Sequence, residues 1–220
     1  MNREEQKKSM LSSVRNYLLT YRPNGLDKND EKIIEVMSKI DRKFFVPKKL
    51  ESEAYLDEAL PTEKGQTISQ PSTVARMLSL LELKKGEEVL EIGTGSGWNA
   101  SLIAEIIKPG KILTLDIFPE LIEKAKGNIK NAGLKLRNLK IKKANFLELK
   151  EKFDKIIFTC GVAPEDESRI IKYAKEHLNN KGILLCPRQF GALIIIKKDE
   201  KGKLTKTQTK EEYVFVPLVI

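Results

Sequence analysis

The chain has 220 residues, 40% of them hydrophobic, which is enough to bury a substantial core. It contains no apolar run long enough to span a bilayer, and MNREEQKKSM at the start lacks the apolar stretch of a signal peptide, so a cytoplasmic protein with no membrane partner is expected. The net charge is +9, from 40 basic and 31 acidic residues, but the densest basic stretch, KAKGNIKNAGLKLRNLKIKK, has few aromatics for stacking on bases; a solvated lysine-rich surface is the plainer reading, and nucleic acid is not the expected partner.

In chain order, residues 1–21 carry apolar side chains at helical spacing, and RPNG ends them. A second helix is predicted from Asn29 or Asp30 through EKIIEVMSKI. Residues 41–71 read as an irregular segment, and a structureless stretch of that length is usually functional. A helix is predicted over 72–81 with Ser72 as its N-cap. Strands and helices then alternate: strand 87–92, helix 98–107, strand 111–116, helix 119–131, strand 139–142, strand 155–159, helix 168–178 and strand 182–186. That alternation implies an α/β fold with a Rossmann-like, doubly wound and mostly parallel sheet. The segments 192–198 and 213–219, joined by the charged KDEKGKLTKTQTKEE, predict an antiparallel C-terminal hairpin at the sheet edge. The organisation expected is an N-terminal helical and substrate-loop region, 1–71, ahead of a catalytic domain, 72–220.

Two cysteines, Cys160 and Cys186, each end an apolar run and read as buried thiols. With one histidine, His177, and no CxxC, no metal site is expected, nor chemistry built on a histidine base. The strongest local signal is EIGTGSG. Glycines at Gly93, Gly95 and Gly97 allow a sharp turn and close approach of a ligand, with Thr94 and Ser96 between them, and Glu91 precedes the loop. The next strand ends at Asp116, followed by Ile117, where a carboxylate can accept both hydroxyls of a ribose. The spacing is G-x-G-x-G rather than G-x-G-x-x-G, and with Glu91 it resembles motif I of S-adenosylmethionine-dependent methyltransferases.

RKFFVP, AYLDEALP, GQTISQPSTVARML and VFVPLV follow one another around that loop. Together they resemble the protein-L-isoaspartate O-methyltransferase family, from about Asp41 to Leu218. The resemblance implies a repair enzyme that transfers a methyl group from S-adenosyl-L-methionine to the free α-carboxylate of L-isoaspartyl residues, with isoaspartyl-containing proteins and peptides as partners; a monomer is expected, though no residue pattern specifies the oligomeric state. It makes Ser69 the catalytic hydroxyl, places Thr67 and Ile68 beside the cofactor, and assigns Leu60, Pro61, Gln66, Gln70, Val214 and Val216 to the substrate loop and peptide groove. The substrate carboxylate is already ionised at neutral pH, so no general base is required. Where the family has Gly-Asp-Gly, this chain reads KKANFLELK; Asn145 then stands where the acid that reaches the adenine is expected, and Phe146 either stacks on the base or crowds the loop. RNA methylation is a second reading of the same fold, but TCGVAPE after the fourth strand does not match the [DN]-P-P-[FY] run of base N-methyltransferases. A non-catalytic relative that binds isoaspartyl proteins is the third.

Overall fold

A computed structural model describes residues 2–219. The helix α1 (Arg3–Leu19) opens with a capping box in which the Asn2 side chain accepts the Glu5 N–H and Glu5 returns a bond to the Asn2 N–H. It buries Met10, Val14 and Leu18, four residues apart, on one stripe. In α2 (Lys28–Lys39) the Asp27 carboxylate caps two N–H groups, and Ile33, Val36 and Met37 turn inward. Residues 41–71 are better ordered than a loop. Short 3₁₀ turns cover Arg42–Phe45 and Lys48–Glu53, and the two-residue strands β1 (Leu60–Pro61) and β2 (Thr67–Ile68) pair antiparallel, Leu60 opposite Ile68 and Pro61 opposite Thr67.

The helix α3 runs Pro71–Leu81, with proline in its first turn and Gln70 at the N-cap. Ser72 is therefore not the cap predicted from the sequence. It lies inside the first turn, where its N–H and its hydroxyl both donate to the Asp57 carboxylate, at 2.8 and 2.6 Å. A proline with no N–H to satisfy takes the start, and the capping acid arrives from the preceding segment.

Then follow β3 (Glu88–Ile92), α4 (Trp98–Ile107), β4 (Lys111–Asp116), α5 (Pro119–Asn131), β5 (Leu139–Lys143), β6 (Phe153–Phe158), α6 (Glu167–His177), β7 (Leu178–Pro187), β8 (Phe190–Gly191), β9 (Leu193–Lys198), β10 (Leu204–Gln208) and β11 (Tyr213–Val214). Seven strands form one sheet in the order β10-β9-β7-β6-β3-β4-β5, parallel from β7 to β5 and antiparallel at β7–β9 and β9–β10. Successive residues of the central strands face opposite layers. Val89, Ile157 and Leu185 join the core under α1 to α4, whereas Leu90, Ile156 and Leu184 join the core with Ile170, Tyr173 and Ala174 of α6. Burial on both faces explains why these strands read as continuous apolar runs.

The C-terminal hairpin exists, but its second strand is β10, not residues 213–219. Every residue of LTKTQ is exposed or half-buried, so it carries no apolar period by which to recognise it. The final segment instead pairs with β8, Val214 opposite Phe190, and its Pro217 bridges Gly161. This path carries the last residues across the carboxyl ends of the parallel strands.

Candidate active site

Strand order reverses at β3, whose neighbours are β4 on one side and β6 on the other. A crevice outside the carboxyl ends of strands at such a point is where open α/β sheets bind ligands. Here it is a pocket, partly open to solvent, that includes Gly93, Gly95, Asp116, Phe118, Phe146 and Leu218 in its walls. A second, smaller pocket adjoins it and is lined among others by Ser69, Thr94, Ser96 and Asn99. Thr67, Gly93, Gly95 and Thr159 border both.

Two of the loop glycines are dictated by geometry. Gly93 has φ +99°, and a Cβ there would fall 2.3 Å from the Thr159 hydroxyl, which itself donates to the Gly93 carbonyl at 2.6 Å. Gly95 has φ +50°, and a Cβ would meet no protein atom within 4 Å, because it would project into open space. The first glycine closes the loop onto β6, and the second keeps the cradle clear.

Asp116 ends β4 with both carboxylate oxygens held: Oδ2 accepts the Gly95 N–H at 3.1 Å and Oδ1 the Phe118 N–H at 3.0 Å. Burial raises its pKa above the ordinary aspartate value, against the lowering effect of those backbone bonds. Each oxygen retains acceptor capacity toward the pocket.

Glu91 lies one layer beneath and borders neither pocket. It is fully buried, accepts Asn99 Nδ2 at 2.7 Å, and receives the Thr114 hydroxyl. With that hydroxyl hydrogen committed, Thr94 is the donor in the 2.8 Å bond between the two threonine oxygens. The acid thus orients the glycine loop through Thr114 and Thr94. Burial raises its pKa to about 7, opposed by the bonds from Thr114 and Asn99. Between its ordinary value of 4.5 and about 7, the folded protein holds a proton that the unfolded chain has released. This group therefore makes stability fall as pH rises through that window, and its effect is constant above it. Denaturant unfolding of the parent and Glu91→Gln proteins across pH 4 to 8 isolates the effect in the difference curve, in which the parent is expected to lose stability relative to the variant. A flat difference would show that Glu91 titrates normally.

The remaining expected site residues are spread over the pocket walls, the start of α4, the core and the surface. Gln66 and Ile117 border the larger pocket, and Ile68 borders the smaller. Gly97 starts α4 in the left-handed region, and the Ser96 hydroxyl accepts the Trp98 N–H. Leu60 is buried in the main core and Pro61 is exposed beside it, while Val214 is 75% exposed and borders neither pocket. Asn145 turns its side-chain oxygen to the Leu147 N–H at 3.0 Å, capping a 3₁₀ turn, and its neighbours Ala144 and Phe146 border the larger pocket in its place. Phe146 is packed edge-to-face on Phe158 and Tyr173, with centroids 5.3 and 5.0 Å away. Trp98 is core, its indole N–H donating to the Ile40 carbonyl.

Other wall residues escaped the sequence reading. Thr159 and Cys160 follow β6 directly, and the rule that ligands sit beyond strand ends was the signal for them. Pro217 and Leu218 had no such local signal, because only the bridge to Gly161 brings them there. The single histidine is remote from the chemistry: it stacks on Tyr173, its Nδ1 lies 2.9 Å from the Glu151 carbonyl, and it borders neither pocket.

Comparison with known proteins shows the family and the fold. A model of the family protein-L-isoaspartate(D-aspartate) O-methyltransferase (PCMT) matches residues 13–220. A protein-L-isoaspartate O-methyltransferase of Methanococcoides burtonii is 36% identical over 195 residues, 86% of this chain and 93% of that one. One from Fervidobacterium nodosum is 43% identical over 160 residues, 71% of this chain and 77% of the other. A crystal structure described as a protein-L-isoaspartate O-methyltransferase from Plasmodium falciparum, in complex with S-adenosyl-L-homocysteine, superposes with a TM-score of 0.76 over 97% of this chain and 98% of that one; at 23% identity it shows the shared fold. With a family match across nearly its whole length and relatives of this identity, the chain belongs to the protein-L-isoaspartate(D-aspartate) O-methyltransferase family.

Proposed function

We propose that the two adjoining pockets receive the donor and the acceptor of a methyl transfer, from S-adenosyl-L-methionine to the free α-carboxylate of an L-isoaspartyl residue in a damaged protein or peptide. The observation that carries the reading is the contrast between them. The larger pocket has an acid, Asp116, in its wall, whereas no residue bordering the smaller one is charged.

The residues present fit the cofactor. The open side of Gly95 leaves room for its backbone approach, the two Asp116 oxygens can accept a ribose diol, and Ala144 and Phe146 offer an apolar border where an adenine would rest. When bound, S-adenosyl-L-methionine supplies a methyl group activated by its sulfonium charge. The protein's own task is alignment. An α-carboxyl group ionises near roughly pH 3.5, so the nucleophile needs no base. A lysine or arginine clamp would hold its electrons too tightly, but the Ser69 hydroxyl donates one hydrogen bond and leaves the other lone pairs free to attack. Thr67 and Thr159, shared by both pockets, border the path between donor and acceptor.

No helix among the described residues is long and apolar enough to cross a membrane. We place the enzyme in the cytoplasm as a monomer. Burial pushes the Cys160 thiol up to about 12 and the Cys186 thiol well above its usual value, so both stay inert.

The test is methyl transfer from labelled S-adenosyl-L-methionine to a matched pair of peptides. The isoaspartyl peptide is expected to be labelled and its aspartyl twin not. Equal labelling of both, or labelling of transfer RNA alone, would overturn the reading.

A further inference from the structure

Helix α3 serves two parts of the molecule. Val74 and Met77 line the smaller pocket, whereas Arg76, which borders neither pocket, reaches the C-terminal segment. Its Nη2 lies 3.5 Å from Glu211 Oε1, and its guanidinium carbon lies 3.9 Å from the centre of the Tyr21 ring. The pair is largely withdrawn from water, with side chains 12% and 21% exposed. Arg76 Nε and Glu211 Oε2 are both buried, and neither finds a hydrogen-bond partner among the described residues. An arginine and a carboxylate commonly meet through two parallel bonds. Here one long contact stands, and a small approach would complete the fork.

The place of Glu211 in the chain connects this contact to the donor pocket. Two residues later Tyr213 begins β11, and the chain continues through Val216, Pro217 and Leu218 in the wall of the larger pocket. β11 pairs with β8 over two residues, too short a ribbon to hold a position by itself. Backbone bonds fix the far end of the segment: Gly161 N–H donates to the Val216 carbonyl at 2.7 Å, and Leu218 N–H donates to the Gly161 carbonyl at 2.8 Å. Side chains fix its near end on the layer of α1 to α3. Phe215 is buried in the main core, the Tyr213 and Tyr17 hydroxyls lie 3.0 Å apart, and Glu211 meets Arg76. Among the described residues, that is the one ion pair made by residues 209–219.

We propose that Arg76 is a positioning residue for the donor: through Glu211 it holds the C-terminal segment so that Val216, Pro217 and Leu218 complete the wall of the S-adenosyl-L-methionine pocket. The inference rests on the proposed function and adds to it a residue that touches neither ligand. Without its partner, Glu211 is a carboxylate in a half-buried place, and the segment that carries it gains by moving outward into water. The wall residues lie a few positions further along the same segment and move with it. A pocket whose wall is in place only part of the time binds its ligand more weakly in proportion to that fraction. The helix that follows the Ser69 loop is thereby tied to the donor wall by one ion pair.

The experiment is calorimetry of S-adenosyl-L-homocysteine binding, with steady-state kinetics on one isoaspartyl peptide, for the parent, Arg76→Gln, Arg76→Lys, Glu211→Gln and the double glutamine protein, at a temperature where all are folded. Arg76→Gln and Glu211→Gln should each weaken S-adenosyl-L-homocysteine about fivefold, as for a wall in place in roughly one molecule in five. The KM for S-adenosyl-L-methionine should rise in step, while turnover at saturating cofactor and the peptide KM stay within about twofold of the parent. The double variant should bind no more weakly than either single one, because both remove the same pair. Arg76→Lys keeps the charge without the fork and should recover part of the loss. Affinities within about twofold of the parent in both glutamine variants, whatever their melting temperatures, would make the pair merely structural and overturn the inference. So would losses that multiply in the double variant, or a raised peptide KM with unchanged cofactor affinity, which would move the effect of Arg76 to the acceptor side. If Arg76→Gln does not fold, the nearly isosteric Glu211→Gln carries the test. A parent that binds no S-adenosyl-L-homocysteine would remove the proposed function itself, whereas unchanged affinities in the variants leave it standing.

Discussion

Ser69→Ala is expected to lower turnover of an isoaspartyl peptide by about 10²- to 10³-fold, the usual consequence of losing one donor aimed at reacting oxygens. The affinity for S-adenosyl-L-homocysteine should change by less than about twofold. The argument rests on what else the hydroxyl could be doing. Helix α3 begins after Ser69, and its N-cap, Gln70, makes no side-chain capping bond. The hydroxyl at the helix start that is committed to structure belongs to Ser72, held by Asp57. Ser69 is fixed through its backbone, whose carbonyl accepts Arg42 Nη2 at 3.1 Å, so truncating its side chain leaves that anchor in place. Turnover is read from initial rates at saturating peptide and cofactor, and affinity by calorimetry. An alanine variant with the parent's turnover would take Ser69 out of the reaction, and a parallel loss of cofactor affinity would make it a binding residue.

The second large effect is on stability. Arg42 is 1% exposed, yet it is surrounded by carbonyls rather than carboxylates. Its guanidinium donates to the carbonyls of Ala54, Leu56, Glu58 and Ser69, at 2.8, 3.3, 2.9 and 3.1 Å, and it lies 5.4 Å from the centre of the Trp98 ring. One side chain thus closes the segment around residues 54–58 onto the loop that presents Ser69, and rests both on the first turn of α4. Burial lowers its pKa to about 10, which still leaves it charged at neutral pH. Arg42→Ala would leave four carbonyls short of a donor and open a cavity, and a loss of about 3–5 kcal/mol is expected. For a protein of this length that corresponds to a melting temperature lower by roughly 6–20 °C. Arg42→Lys should recover only part of the loss, because an ammonium has three donors and no planar fork to reach four acceptors. Thermal and urea unfolding give the answer. A loss under about 1 kcal/mol in Arg42→Ala would mean that the segment is held by its own turns.

Much of this was written locally. The parallel strands read as VLEI, KIIF and GILL because both of their faces are buried, and that demand falls on every residue in the run. The glycine loop was legible because positive φ at Gly93 and Gly95 is a requirement on single residues, and Asp116 because a strand end places its last side chain at the crevice. The turn at Asn145 was legible in principle too. An asparagine two residues before a free N–H favours that bond, and here it turns the side-chain oxygen to Leu147.

Other features depend on residues far apart in the chain. Arg42 reads as surface in any sequence, since nothing local says that four carbonyls from residues 54–69 will converge on it. Ser72 carries the signature of an N-cap, but Pro71 occupies the first turn and Asp57 reaches it from a neighbouring segment. LTKTQ has no apolar face and becomes a strand only because β9 offers an open edge. Pro217 and Leu218 reach the pocket because Gly161 and β8 capture the end of the chain. The sequence by itself determined the parallel strands, the glycine loop and the acid at Asp116, since each rests on backbone conformation or periodicity within a short window, and it carried the motifs by which the chain resembles its family. Only the tertiary structure decided how the Ser69 loop is braced and which C-terminal residues complete the pocket wall, because those depend on hydrogen bonds and strand pairings between distant segments, whose partners no local pattern specifies.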